Sequence, residues 1–223
     1  MPAEAVLFDV DGTLVDSVDL HARAWQEAFA HFGKRIPYRA IRAQIGKGGD
    51  QLMKEFLSPE ELEQLGKEID EYRSKLYKQE YLGQVRPFPR VRELFQELHR
   101  RGIRIALASS AKGDELSIYK KIAGIEDLVD AETSADDTRR TKPCPDIFEV
   151  ALKRLGRELS KDRAFVVGDS PWDAIAAVRL GLRPIGVLCG GFEEELLRKT
   201  GCIAIYRDPA DLLDRLDDSP IVR

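Results

Sequence analysis

The chain has 223 residues, 43% of them hydrophobic and 33% charged, enough apolar material for one large domain or a core carrying a smaller insertion, and too much for intrinsic disorder. A net charge of −4 with no basic run excludes a nucleic-acid footprint, and no stretch of ~18 apolar residues or signal-like start points to a membrane or to export. Three widely spaced cysteines, Cys144, Cys189 and Cys202, fit neither a disulfide framework nor a zinc cluster, so a reducing cytoplasm is the expected location.

In chain order, Ala5–Val10 reads as a buried strand, and it runs directly into Asp9-Val10-Asp11-Gly12-Thr13. Two carboxylates at the end of an apolar strand are costly unless a cation or hydrogen bonds compensate them, and hard oxygen ligands of this kind suit magnesium. Gly12 lets the chain turn away.

The stretch 17–84 contains no convincing strand and reads as an inserted helical domain, leaving 1–16 and 85–223 as the core. Its first helix follows Asp16-Ser17, carries Val18, Ala22, Trp25 and Phe29 at helical spacing and stops at Gly33. A second opens with the capping box Ser58-Pro59-Glu60-Glu61, and Leu62, Leu65, Ile69, Tyr72 and Leu76 follow on one stripe.

Beyond it the pattern alternates. A helix over Val91–Arg101 precedes a strand at Ile103–Ser109, whose terminal hydroxyls, Ser109 and Ser110, and adjacent amides suit a phosphate oxygen. A strand is expected at Leu128–Ala131. Lys142 then stands just before a helix over Asp146–Leu155, where its ammonium can meet developing negative charge. The strand Ala164–Gly168 ends in Asp169, and Asp173 lies one helical turn later, placed to orient the lysine or a metal-bound water. Further strands are expected at Arg183–Leu188 and Ile203–Tyr206, and the acidic tail around Asp217-Asp218 is expected to fray. Such alternation predicts an α/β fold with a parallel sheet between helical layers, and ligands beyond the carboxyl ends of its strands.

Together, the segments Asp9-x-Asp11-Gly12-Thr13, Ser109, Lys142 and Gly168-Asp169-x-x-x-Asp173 strongly resemble the haloacid dehalogenase-like superfamily, in the branch with a helical cap after the first strand, which includes phosphoglycolate phosphatases and beta-phosphoglucomutases. The resemblance covers nearly the whole chain. It implies a Rossmann-like three-layer core and a Mg2+-dependent phosphatase acting on a small phosphorylated metabolite, as a monomer or homodimer. It further implies that Asp9 is the nucleophile and Asp11 the acid/base, that the Asp9 carboxylate, the Asp11 main-chain oxygen and Asp169 hold the metal, and that Ser109 and Lys142 bind the transferring phosphoryl group. Gly12, Thr13, Ser110, His21 and Lys47 are then the expected substrate-binding positions.

The segment His21-Ala22-Arg23-Ala24-Trp25 is similar to one in beta-phosphoglucomutases, which makes a phosphoryl-transfer mutase the main alternative. Those mutases grip a second phosphate with a cap-loop arginine, whereas the corresponding stretch here is Gly46-Lys47-Gly48-Gly49, with Gly49 in its place. A phosphonate-cleaving relative would need a Schiff-base lysine, nominally Lys47 or Lys54. A phospho-accepting signalling module lacks both the paired acids and the insertion. Arg90 stands where relatives usually have glycine before a helix.

Overall fold

The computed structural model describes residues 3–156 and 159–223. Six parallel strands form the central sheet: β1 (Ala5–Phe8), β4 (Arg104–Ala108), β5 (Ala131–Thr133), β6 (Ala164–Gly168), β7 (Arg183–Val187) and β8 (Ala204–Tyr206). Their order is β5-β4-β1-β6-β7-β8, so β1, β4 and β6 lie side by side at the centre. A separate antiparallel pair, β2 (Val15–Asp16) with β3 (Arg86–Pro87), joins the two passages of the chain between the sheet and the helical segment.

The strand sequences read as continuous apolar runs because both faces are covered, and successive side chains point to opposite faces. Val6, Phe8, Ile105, Leu107, Phe165 and Val167 enter one core, against α5 (Val91–Arg100) and α6 (Gly113–Ala123). Ala5, Leu7, Ala106, Ala108, Ala164 and Val166 enter the other, against α7 (Asp146–Leu155) and α8 (Pro171–Leu180). The remaining core helices are α9 (Glu194–Lys199) and α10 (Pro209–Asp214). The three-layer α/β architecture read from the sequence is therefore present.

Between β2 and β3 the chain is helical: α1 (Val18–His31), α2 (Tyr38–Arg42), α3 (Gly49–Leu52) and α4 (Pro59–Leu76). These helices share their own apolar cluster, with Trp25, Phe29, Ile41, Leu52 and Ile69 buried in it. α4 begins with the capping box as read: Ser58 Oγ accepts from the Glu61 N–H at 3.2 Å, and Glu61 Oε2 accepts from the Ser58 N–H at 3.1 Å.

Two expectations are corrected, for the strand at Leu128–Ala131 and for the C-terminal tail, and the turn at Arg90 is defined. The third strand in sequence order lies at Ala131–Thr133 rather than Leu128–Ala131, because Glu126–Leu128 forms a 3-10 turn and only the later residues reach the β4 ladder. Being an edge strand covered on fewer sides, it lacks the apolar run that marks the central ones. Arg90 holds the helix-opening turn that glycine would favour, at φ 60°, and its guanidinium pairs with Asp214. The C-terminus does not fray: Ile221 is fully buried in the first core, and its carbonyl accepts from the Ala3 N–H at 2.8 Å.

Ile221→Ala should therefore destabilise the protein by about 2–4 kcal/mol, the usual cost of a large-to-small change in a core. Urea unfolding measures this directly; a change within ~0.5 kcal/mol would mean that the tail is undocked in solution.

Candidate active site

Parallel strands bring their carboxyl ends to one edge, and β1, β4 and β6 there end in Asp9, Ser109 and Asp169. All three side chains are buried, as are Lys142 and Asp173. Carboxylate oxygens of Asp9, Asp169 and Asp173 lie within 4.8 Å of one another. The Lys142 ammonium is the protein's counter-charge: it pairs with Asp9, stands 2.8 Å from Asp173 Oδ1 and donates to the Ala108 carbonyl at 2.8 Å. Asp173 is fixed by the first turn of α8, where Ser170 Oγ donates to its Oδ2 at 2.5 Å and the Ser170 N–H at 3.1 Å.

One ammonium among three buried carboxylates leaves the site short of positive charge. Burial, and next Asp173, push the Asp9 carboxyl up to about 7 against the opposing pull of Lys142. Asp169 is raised well above the usual carboxylate range by burial, then by Asp9 and Asp173. Burial disfavours the charged form of Lys142 too, but Asp173 and Asp9 outweigh it and raise the ammonium above its ordinary range.

The donor set fits a hard divalent cation in charge and in atom type. So does the space around Asp169, since a Cβ on Gly190 would fall 1.7 Å from Asp169 Oδ2, and one on Gly12 (φ +86°) 2.5 Å from it. Thr13 fills neither gap: its hydroxyl lies 2.9 Å from Asp9 Oδ2 and 3.2 Å from Asp169 Oδ1, bracing both acids, and it does not line the cavity beside Asp9 and Asp11.

Asp11 is oriented differently. Its carboxylate turns toward the helical segment, where Ser17 Oγ donates to Oδ1 at 2.6 Å and His21 Nε2 lies 2.9 Å from the same oxygen. Ser17 thus spends its hydroxyl on Asp11 and makes no side-chain cap for α1. Ser109 Oγ, 3.4 Å from Asp11 Oδ2, accepts from the Ala111 N–H at 3.0 Å. Burial raises the Asp11 carboxyl, yet the His21 charge and hydrogen bonds from His21, Ser17 and Tyr119 prevail and hold it below the usual range. His21 in turn stacks on Tyr77 at 3.9 Å between ring centroids and lies 3.0 Å from Tyr119 Oη, which is 2.7 Å from Tyr77 Oη.

A small cavity of about 40 Å³ opens between the sheet edge and the helices, lined by Asp9, Asp11, His21, Lys47 and Ser110 among others. Ser110 Oγ donates to the Gly46 carbonyl at 3.4 Å. Lys47 reaches the cavity, but its ammonium is engaged, 2.8 Å from Glu55 Oε1 and 4.0 Å above the Trp172 ring. Trp25, Arg73 and Glu115 also line this space and were not anticipated as site residues. Trp25 stood out in a packing stripe and at the end of the His21–Trp25 segment but not as a site residue, Arg73 carried no signal, and Glu115 sits in the first turn of α6 as any helix-opening acid does.

The haloacid dehalogenase-like hydrolase family model matches residues 3–181. The chain belongs to that family. It is thus a hydrolase of the phosphatase type. Among curated proteins it is 31% identical over 194 residues to Protein CbbY of Cereibacter sphaeroides, covering 82% of this chain and 83% of that one. It is 26% identical to Pyrophosphatase PpaX of Halalkalibacterium halodurans, covering 96% and 97%. A hydrolase of Pseudomonas syringae has the same fold, with a TM-score of 0.88 at 29% identity over 97% of this chain and 99% of that one. Among the described residues of this hydrolase, no helix is long and apolar enough to cross a membrane.

The charge shortage has a measurable consequence in the metal-free protein. A carboxyl whose folded pKa is raised takes up protons on folding, so its contribution to stability is complete at low pH and is lost as pH rises through the folded value. For Asp9 that window runs from about 4 to about 7, and Asp169 adds to it in the same sense. In chelated buffer at pH 8, Asp169→Asn should stabilise the protein and flatten the fall in stability above pH 4, as followed by urea unfolding across pH. Destabilisation by this substitution would mean that the acids are already compensated.

Proposed function

We propose that the protein is a magnesium-dependent phosphatase that transfers the phosphoryl group of a small phosphate monoester to Asp9 and then to water. The observation that carries the reading is the meeting of Asp9, Asp169, Asp173 and Lys142 in one buried cluster that is short of positive charge. Residues 17–84 act as the cap and the remainder as the catalytic core in this reading.

Asp9, Asp169 and the Asp11 main-chain oxygen would hold magnesium, with Asp173 supporting the cluster through Lys142. When bound, the ion neutralises charge on the transferring group. An Asp9 carboxylate oxygen attacks phosphorus and the ester P–O bond breaks. Lys142 and Ser109 hold the phosphoryl oxygens, a task that in this chemistry matters more than covalent ingenuity. Asp11 gives a proton to the departing alkoxide, then takes one from the water that attacks phosphorus and releases Asp9. The ionised Asp11 of the resting site is ready for the second half. The arrival of a substrate's negative charge beside it raises its affinity for the proton needed in the first half.

Hydrolysis is favoured over the mutase alternative by Gly49. A Cβ there would lie 3.0 Å from Asp70 Oδ1 and 3.1 Å from Trp25 Cζ2, so an arginine at this position has no room without moving its neighbours. Lys47, the substitute grip, is already paired.

With p-nitrophenyl phosphate as reporter, Asp9→Asn should lower kcat by at least about 1000-fold with the melting transition retained. Asp11→Ala should cost about 10²- to 10⁴-fold. Chelation should remove turnover and added Mg2+ restore it. Full activity in chelated buffer, or in Asp9→Asn free of deamidated enzyme, would contradict the mechanism.

A further inference from the structure

The segment 46–50 of the helical layer meets the core at the sequence neighbours of Ser109, Lys142, Asp169 and Asp173. Ser110, next to Ser109, donates from Oγ to the Gly46 carbonyl at 3.4 Å. Gly46 lies so close to Ser170, which follows Asp169, that a Cβ on it would fall 2.6 Å from Ser170 Oγ. The Lys47 ammonium stands 4.0 Å above the ring of Trp172, which precedes Asp173. Thr141, next to Lys142, is held by two bonds to one group. Its hydroxyl donates to Asp50 Oδ1 and its N–H to Asp50 Oδ2 at 3.4 Å. Gly48 permits the approach, since a Cβ there would lie 2.2 Å from Thr141 Oγ1.

We propose that Asp50 is a positioning residue: its grip on Thr141 fixes the backbone from which Lys142 reaches the transferring phosphoryl group, so that the phosphoryl site is complete only when α3 is docked on the core. This rests on the phosphatase reading above and adds to it a support drawn from the helical segment.

Lys142 needs such a hold. In the resting site its ammonium bonds to Asp9, Asp173 and the Ala108 carbonyl, and part of that bonding must pass to phosphoryl oxygens. A long side chain can make the change in many rotamers, and an anchored backbone limits them to those that meet the phosphorus in line. The core supplies few anchors here. Residues 138–145, ahead of α7, form neither helix nor strand. On the far side of Lys142, an exposed arginine, Arg179, donates to the Pro143 carbonyl at 2.9 Å. On the near side, Thr141 is 6% exposed, and its hydroxyl and N–H are both satisfied by a carboxylate from the other layer. Bonds to a charged acceptor are the stronger kind, and a buried donor that loses one is costly. Asp50 is itself oriented by Gln51, whose Nε2 donates to Oδ2 at 2.6 Å. A contact with the leaving group would affect different substrates unequally, whereas Lys142 serves the phosphoryl end that all of them share.

The test measures kcat/KM with Mg2+ on p-nitrophenyl phosphate and acetyl phosphate, whose leaving groups have nothing in common, together with inhibition by inorganic phosphate, which has none. Asp50→Ala and Thr141→Val should each lower kcat/KM by about 10- to 100-fold, by the same factor on both substrates, and weaken inhibition by phosphate. The double variant should lose no more than either single one, since both remove one contact, and Thr141→Ser, which keeps both donors, should stay within about threefold of the wild type. Arg42→Met is the control for docking itself: Arg42 Nη2 crosses the same boundary to the Gly190 carbonyl at 3.0 Å, from a half-exposed side chain, and its loss should cost less than about threefold. Melting curves verify that each variant is folded, and Asp50→Asn, which keeps one acceptor oxygen, should show an intermediate loss if Asp50→Ala is not. Additive losses, a loss confined to one substrate, an equal loss in Arg42→Met, or no loss in Asp50→Ala overturns the assignment. If the wild type fails to turn over p-nitrophenyl phosphate at all, the phosphatase reading falls; if it turns over that reporter and the Asp50 and Thr141 variants match it, only the positioning role falls.

Discussion

Three buried carboxylates, Asp9, Asp169 and Asp173, are held against a single ammonium, Lys142. Left to themselves such groups repel one another and lose their hydration, so the rest of the structure must force them together. The central strands do this with apolar surface. β1 and β6 are buried on both faces and run side by side in register, Phe8 opposite Val167, so the residues that follow emerge together whatever their charge. The hydrophobic effect, which is indifferent to direction, thus fixes a polar arrangement that is strongly directional.

The acids at this edge are divided by environment. Asp9 is raised by burial and by Asp173, and Asp169 by burial, Asp9 and Asp173, while Asp11, two residues from Asp9, turns to Ser17 and His21 and is lowered. Neighbouring carboxyls with opposed proton affinities suit opposed roles, one to bond to phosphorus and one to carry protons. The division depends on the helical segment, because Ser17 and His21 both belong to it.

The core of this arrangement was legible in the sequence because it breaks local rules. Charge at the end of an apolar strand is conspicuous at Asp9 and Asp169, and Ser109, after a neighbouring strand, and Lys142, before the following helix, gained meaning from falling into the same alternating pattern. The boundary between the layers was less legible. Glu115 and Arg73 meet although they stand far apart in sequence, and each obeys its local pattern, an acid in a first helical turn and a long cation on an amphipathic helix. The Tyr77–Tyr119–His21 contact likewise joins His21, an expected substrate-binding position, to two tyrosines that carried no signal of their own. Gly190 follows a strand without any motif, and its role is the absence of a side chain beside Asp169. The edge strand β5 and the docked Ile221 were misplaced because partial burial leaves a weak periodic signal and because a short tail carries almost none.

The central claim is that the acid cluster is a half-built charge arrangement, completed by one divalent ion and one phosphoryl group on Asp9. A crystal structure of the protein with magnesium and beryllium fluoride, a mimic of an aspartyl phosphate, tests it most directly. The expected result is a beryllium fluoride adduct on the Asp9 carboxylate, contacted by Lys142 and Ser109, with a magnesium ion bound to Asp9 and Asp169. An unmodified Asp9, or an ion bound away from Asp169, would contradict it.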